Sequence, residues 1–275
     1  MDTLIINNGS GYIKWGLNNN IYPTLNIPNL SLSKDDKKHS KCPIINGIVS
    51  DWDKLSDLWE SSLITSNIKS EEHRLLISLP LSYFDKEKLY EILFEYFNFK
   101  SVYIGDPNCL TLYSTGRTTG LIYDCGHHLT QINPVFEGYH LDTNSRLINL
   151  GGYDIDQFLI NQIQNSGISL PSLSYTELHT LKHTLNKHSI TSFQLPDGQS
   201  IQCGQLRKQD LTEILFNPLM IGKDIKDCGY NILETIQQCD LNVRNQLRNN
   251  IILSGGTTLL SNFQKRLTQS LSAYS

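Results

Sequence analysis

At 275 residues, with 39% apolar and 18% charged content and a net charge of -4, the chain can hold one large domain or two modest ones, and its charge does not favour nucleic acid or an anionic membrane. No apolar run approaches the roughly 20 residues of a spanning helix, and Met1-Asp2-Thr3 opens without the basic start of a signal peptide, so no membrane insertion is expected. The 6 cysteines, Cys42, Cys109, Cys125, Cys203, Cys228 and Cys239, are scattered without a C-x-x-C, which reads as reduced thiols of a cytosolic or nuclear protein rather than a disulfide framework or zinc site.

In chain order, Leu4 to Ile6 reads as a short buried strand, with Tyr12 to Leu17 returning as its hairpin partner. Residues 18–41 are polar and irregular, and the charge run Ser33 to Lys41 reads as a solvated loop. A helix is predicted from Asp53, with Leu55, Leu58, Trp59 and Leu63 at helical spacing. Leu75 to Ile77 is a strand. An amphipathic helix over 85–97 buries Leu89, Ile92, Leu93, Tyr96 and Phe97. Val102 to Ile104 is a strand, followed by a helix through Tyr113.

A second pass begins near Thr115. Leu121 to Tyr123, Gln131 to Val135 and the stretch from Arg146 to Leu150 read as strands. Gly151-Gly152 opens a helix with Ile155, Phe158, Leu159 and Ile163 on its buried side. Residues 165–174 are loop-like. A helix over 175–187, a strand from Phe193 into a Pro-Asp-Gly turn, helices over 230–238 and 243–248, a strand at Ile251 and a last helix to Leu271 complete the chain. This alternation argues an α/β class with two units, 1–114 and 115–275.

Glycine turns follow three strand ends. They are Asn8-Gly9-Ser10-Gly11, with Lys14 beyond, then Asp124-Cys125-Gly126, and Ser254-Gly255-Gly256-Thr257-Thr258. Strand, tight glycine turn, strand can present backbone N–H groups to phosphate oxygens. The candidate nucleotide-binding residues are therefore Gly9, Ser10, Gly11, Lys14, Asp124, Gly126, Gly255, Gly256 and Thr257. A second reading stands beside each. Gly9, Gly11 and Gly126 serve equally if the hairpins demand positive φ, and Lys14 as a solvated strand end. Gly255 and Gly256 serve helix packing as well as close approach of a ligand. Asp124 either holds a cation through water or caps its turn.

These motifs resemble the actin family. Asn8 to Lys14 is similar to its first phosphate loop, Pro43-Ile44-Ile45-Asn46-Gly47-Ile48-Val49-Ser50-Asp51-Trp52-Asp53 to the signature before its first long helix, and Leu112 to Gly120 to its inter-lobe segment. Phe136-Glu137-Gly138-Tyr139, Leu195-Pro196-Asp197-Gly198 and Leu253 to Thr258 recur in order. Asp124-Cys125-Gly126, Ser166 to Leu170 and Thr191-Ser192-Phe193 resemble the centractin branch, the actin-related subunits of dynactin. The resemblance implies a two-lobed actin-like ATPase fold, shared with sugar kinases and chaperone ATPases, with ATP and magnesium in the cleft. It also implies actin-like or dynactin-type protein partners and a cytoplasmic, cytoskeletal setting.

Against that pattern the outer subdomains read as reduced and the C-terminal segment as absent. The filament-contacting insertion shrinks to the loop between Ile27 and Cys42. Exposed apolar surface is then expected on Leu110, Leu112 and the helix over 85–97.

The implied chemistry is also altered. Asn7 stands where the family carries a cation-binding Asp, and His127 and His128 replace an acidic residue and a glycine. Pro107 and Gln131 stand where a Gln and a His position water, and Lys182 lies near the adenine-side Lys and Glu. His127 and His128 would point apart on a strand and lack a third donor for metal. His179 and His183, without the glutamate of a zinc hydrolase motif, read as surface residues. Binding without catalysis is the leading expectation, making the chain a subunit or interaction module with weak or absent ATP hydrolysis. A slowly hydrolysing, filament-forming ATPase is the alternative, and a divergent copy that folds poorly is a third reading.

Overall fold

The computed structural model describes residues 2–29, 42–79, 85–165, 175–187, 192–194, 198, 200–203 and 211–274. The chain divides into two compact units, Met1–Gly116 and Arg117–Ser275.

In the first unit, alternation of buried Leu4 and Ile6 with exposed Ile5 and Asn7 makes β1 (Thr3–Asn8), which pairs antiparallel with β2 (Tyr12–Leu17). The polar stretch after it is not wholly irregular, because β3 (Leu25–Pro28) extends the sheet beside β2. The charged run lies largely outside the described residues. A small hairpin of β4 (Ile44–Ile45) and β5 (Ile48–Val49) turns on Asn46-Gly47, both at positive φ, the geometry that Asn-Gly favours. Helix α1 (Trp52–Ser66) starts one residue before Asp53. The Asp51 carboxylate caps it by accepting the Lys54 N–H at 3.0 Å.

β6 (Arg74–Ser78) runs parallel to β1. Asp85 caps α2 (Lys86–Glu91), which widens into a π-helical turn over Ile92–Tyr96 instead of continuing as one regular helix. That widening turns Tyr96 out to 58% exposure, against the expected burial, while Leu89, Leu93 and Phe97 stay inside. β7 (Ser101–Ile104) completes a five-stranded sheet in the order β3-β2-β1-β6-β7. Asp106 caps α3 (Pro107–Ser114), with Pro107 in its first turn. Leu112 is fully buried and Leu110 half-buried, so the expected exposure there is not found. On the helix over 85–97 the expected exposure is found, at Tyr90 and Phe94, each 41% exposed and stacked with centroids 6.0 Å apart.

The second unit repeats the opening pattern. β8 (Gly120–Cys125) pairs antiparallel with β9 (Thr130–Phe136), which carries β10 (Tyr139–His140) and β11 (Arg146–Ile148). Next come α4 (Gly152–Asn165), α5 (Tyr175–Lys187), the strand pair β12 (Ser192–Gln194) and β13 (Ser200–Gln202), and α6 (Glu213–Phe216). Ile155, Phe158, Leu159 and Ile163 of α4 are all buried, as their spacing predicts. The 195–197 part of the Pro-Asp-Gly turn and nearly all of the 165–174 loop lie outside the described residues. α7 (Cys228–Gln238), capped by Asp227, α8 (Leu241–Asn249), β14 (Ile251–Ser254) and α9 (Phe263–Ala273) follow. β14 lies parallel to β8 on the side away from β9. Each unit thus holds a central strand with an antiparallel hairpin partner on one side and a parallel strand on the other, over its own apolar core.

Candidate functional site

The glycine turns are fixed at strand ends, and their internal contacts decide what they can offer a ligand. In the first unit the Gly9 N–H donates to the Tyr12 carbonyl at 3.0 Å, so it is spent inside the turn. Gly9 is not left-handed, nor are Gly11 and Gly126, which removes the expectation of positive φ at all three. What requires glycine at position 9 is space, since a Cβ would lie 2.6 Å from the Tyr12 oxygen. Two asparagines that sequence reasoning passed over hold this loop. The Asn8 carbonyl oxygen accepts the Trp59 indole N–H at 2.9 Å, and its amide donates to the Ser78 carbonyl. The buried Asn29 amide donates to the carbonyls of Ser10 and Ile44. Lys14 is exposed and sits opposite Asn7 in the β1–β2 ladder.

The second unit gathers Asp124, Gly126, Gly255 and Thr257. The Gly126 N–H closes the β8–β9 turn on the Leu129 carbonyl at 2.9 Å. Its own carbonyl accepts from the Gly152 N–H at 3.0 Å and the Thr257 hydroxyl at 2.8 Å. The His127 carbonyl accepts the Tyr153 N–H at 2.6 Å, and the Gly151 N–H donates to the Asp154 carboxylate. The first N–H groups of α4, which would otherwise make an anion seat, are therefore satisfied by the protein itself.

Gly255 is left-handed, with φ +84°. A Cβ there would lie 2.1 Å from the Cys125 carbonyl oxygen and 2.5 Å from Asp124 Oδ1. This close crossing of two strand ends, not helix packing, requires the glycine. Gly256 has open space around its Cα. Asp124 is half-buried beside Gly255, and its cross-strand partners are Gln131 and Ser254.

Behind this turn lies a polar cluster. Lys182 Nζ of α5 stands 2.7 Å from Asp156 Oδ1 of α4, and both residues are buried. Lys182 Nζ also donates to the Gly152 carbonyl at 3.4 Å. Burial raises the Asp156 carboxyl above its ordinary range, against the pull of Lys182.

His127 Nδ1 is 3.8 Å from the other Asp156 oxygen. Burial, with added repulsion from His128, Lys182 and His179, pushes the His127 imidazole down to about 3. His179 falls to about 4 through burial and then His183 and Lys182. His128 is lowered too, chiefly by burial. All three imidazoles are therefore neutral near pH 7.

The histidines depart from two expectations. His127 and His128 sit in a bend rather than a strand, with rings 4.6 Å apart edge-on, so they do not point apart. His179 and His183 are half-buried with rings 4.4 Å apart, not surface residues. No group of three or more His, Cys, Asp or Glu residues is placed to hold a metal ion among the described residues. Pro107 opens α3, and the Gln131 amide oxygen accepts from the Asn133 amide at 3.3 Å.

The repeated unit, a central strand with a glycine-turn hairpin on one side and a parallel strand on the other, is the duplicated α/β frame of the actin, sugar-kinase and chaperone ATPase class. The sequence profile described as Actin matches residues 1–182 and 172–275, and the chain belongs to the actin family. It is 34% identical over 257 residues to "Centractin" of Saccharomyces cerevisiae (strain ATCC 204508 / S288c), covering 84% of this chain and 66% of that protein. It is 33% identical over 249 residues to "Actin-like protein 7A" of Rattus norvegicus and of Mus musculus, covering 84% of this chain and 56% of those proteins. The chain thus spans 56% to 66% of the length of these relatives. No helix among the described residues is long and apolar enough to cross a membrane.

Proposed function

We propose that this actin-family chain works as a structural subunit, assembling with actin-like or dynactin-type protein subunits on the cytoplasmic cytoskeleton, with weak or absent ATP hydrolysis. The observation that carries this reading is the buried contact between Lys182 and Asp156. A lysine in the stretch that resembles the family's adenine side, held inward by its own carboxylate, has its charge already engaged. The surrounding donors point the same way. The N–H groups of Gly9, Gly126, Gly152 and Tyr153 and the hydroxyl of Thr257 are spent on protein carbonyls. A magnesium triphosphate also needs carboxylates around the cation, and Asn7 supplies an amide where the family has Asp. The residues present therefore do not fit ATP and magnesium. Affinity isolation of the tagged full chain from its own cells tests the assembly reading. Recovery of actin-like or dynactin-type subunits is expected, and purely monomeric elution contradicts it.

A second reading, a slow ATP-binding filament former, draws on the half-buried Asp124 carboxylate beside the left-handed Gly255 turn and on exposed Lys14. Magnesium-dependent phosphate release by the pure chain, lost in Asp124→Asn, would favour it.

A further inference from the structure

The first unit carries a groove of about 630 Å³ unconnected with either glycine turn. Its apolar lining comes from Leu63, Ile64, Ile68 and Phe97. Phe97 is a rigid floor. It is 5% exposed and meets Tyr96 edge-on at 4.9 Å and Trp59 at 6.1 Å. Ile64, at 74% exposure, stands on the rim.

Two helices end at this groove. α1 finishes at Asn67 (φ 52°), and the π-helical turn finishes at Phe97, followed by Asn98 (φ 56°). Both asparagines line the groove. Neither helix has a basic residue in its last turn, so the partial negative charge of both C-termini is uncompensated. The carboxylates of Glu60 and Glu71 add to it. Lys69 is the cation among the lining residues, and Glu72 engages it at 3.3 Å. The Tyr96 phenol is held above its ordinary value, first by the charge of Glu60. The π-helical turn re-aims Tyr96 toward this site, a device common where a helix serves a binding surface.

We propose that this groove docks a segment of a partner protein that inserts apolar side chains flanked by lysine or arginine. An apolar floor inside a negative rim selects that chemistry over an acidic or uniformly apolar segment.

The test is fluorescence anisotropy of the full chain with a labelled peptide of about twelve residues alternating Leu and Phe with Lys and Arg. A counterpart with Glu in place of the basic residues is the control. The basic peptide is expected to bind, the acidic one not, and binding should weaken as salt rises. Ile64→Glu, and separately the pair Glu60→Lys with Glu71→Lys, should each weaken binding by at least about tenfold. All three positions are exposed, and an unchanged melting midpoint confirms that these variants fold. Equal binding of the acidic peptide, or undiminished binding by the folded variants, overturns the proposal. A dimer seen by sedimentation of the free chain and lost in Ile64→Glu would assign the groove to a second copy and also overturn it.

Discussion

Lys182 and Asp156 face each other at 2.7 Å across α5 and α4, at 5% and 3% exposure. Removing one partner of a buried pair leaves a bare charge, whereas replacing both with apolar groups of similar size is often neutral. Asp156→Leu or Lys182→Met alone is expected to cost about 3 kcal/mol in urea unfolding, and the double variant far less than the sum. Additive losses would show that the two residues act independently.

Acid sensitivity should follow from the neutral imidazoles. His127 and His179 have folded values of about 3 and about 4 against an ordinary 6.5. The unfolded chain takes up their protons first. Their share of stability is therefore full above 6.5 and is lost as pH falls toward 4 and then 3. Asp156, raised by burial, works in the opposite sense above its ordinary 3.8. Melting midpoints are expected to drop between pH 6.5 and 4, and His127→Gln with His179→Gln should flatten that drop. A profile identical to the parent would refute the assignment.

Gly255 and Gly256 are neighbours in sequence with opposite demands. Gly255→Ala forces a Cβ to within 2.1 Å of the Cys125 carbonyl oxygen at positive φ, so a loss of at least about 2 kcal/mol is expected. Gly256→Ala meets nothing within 4 Å and should change stability by less than about 0.5 kcal/mol. Thermal melts of the two variants check the contrast.

The thiols should divide by burial. Cys125, Cys203, Cys228 and Cys239 are buried, and Cys42 and Cys109 are half-buried. Burial pushes the Cys125 thiol up to about 12 and raises Cys228 further. Labelling at neutral pH is expected to reach Cys42 and Cys109 first and the other four only on unfolding. Mass spectrometry of the labelled chain reads the order, and early labelling of Cys125 would contradict the placement.

Much of the frame was legible because its signals are local. Alternation in β1, the helical spacing of Leu55, Leu58, Trp59 and Leu63, and Asp85 ahead of α2 each carry their own structure. The π-helical turn left no trace, because Tyr96 and Phe97 continue the same apolar spacing and only a local change of hydrogen-bond register turns Tyr96 outward. β3 was missed because Leu25–Pro28 is short and paired at the sheet edge. Asn8 and Asn29 could not be read as braces, since their partners Trp59, Ser78 and Ile44 lie far away in sequence.

Asp156 did leave a signal. It sits beside Ile155 on the buried stripe of α4, and Lys182 beside Leu181 on that of α5. Two charges on two apolar faces imply a mutual partner. The glycines were legible as turns, but their reason was not. Close approach of a carbonyl at Gly9 and Gly255 depends on which strand ends meet.

The central claim is that internal contacts have taken over the chemistry of a nucleotide clamp whose backbone frame persists. The melting midpoint of the pure chain, with and without millimolar ATP and magnesium, tests it most directly. No shift is expected, because a ligand stabilises only in proportion to its binding. A rise of several degrees that grows with the logarithm of ATP concentration would contradict the account.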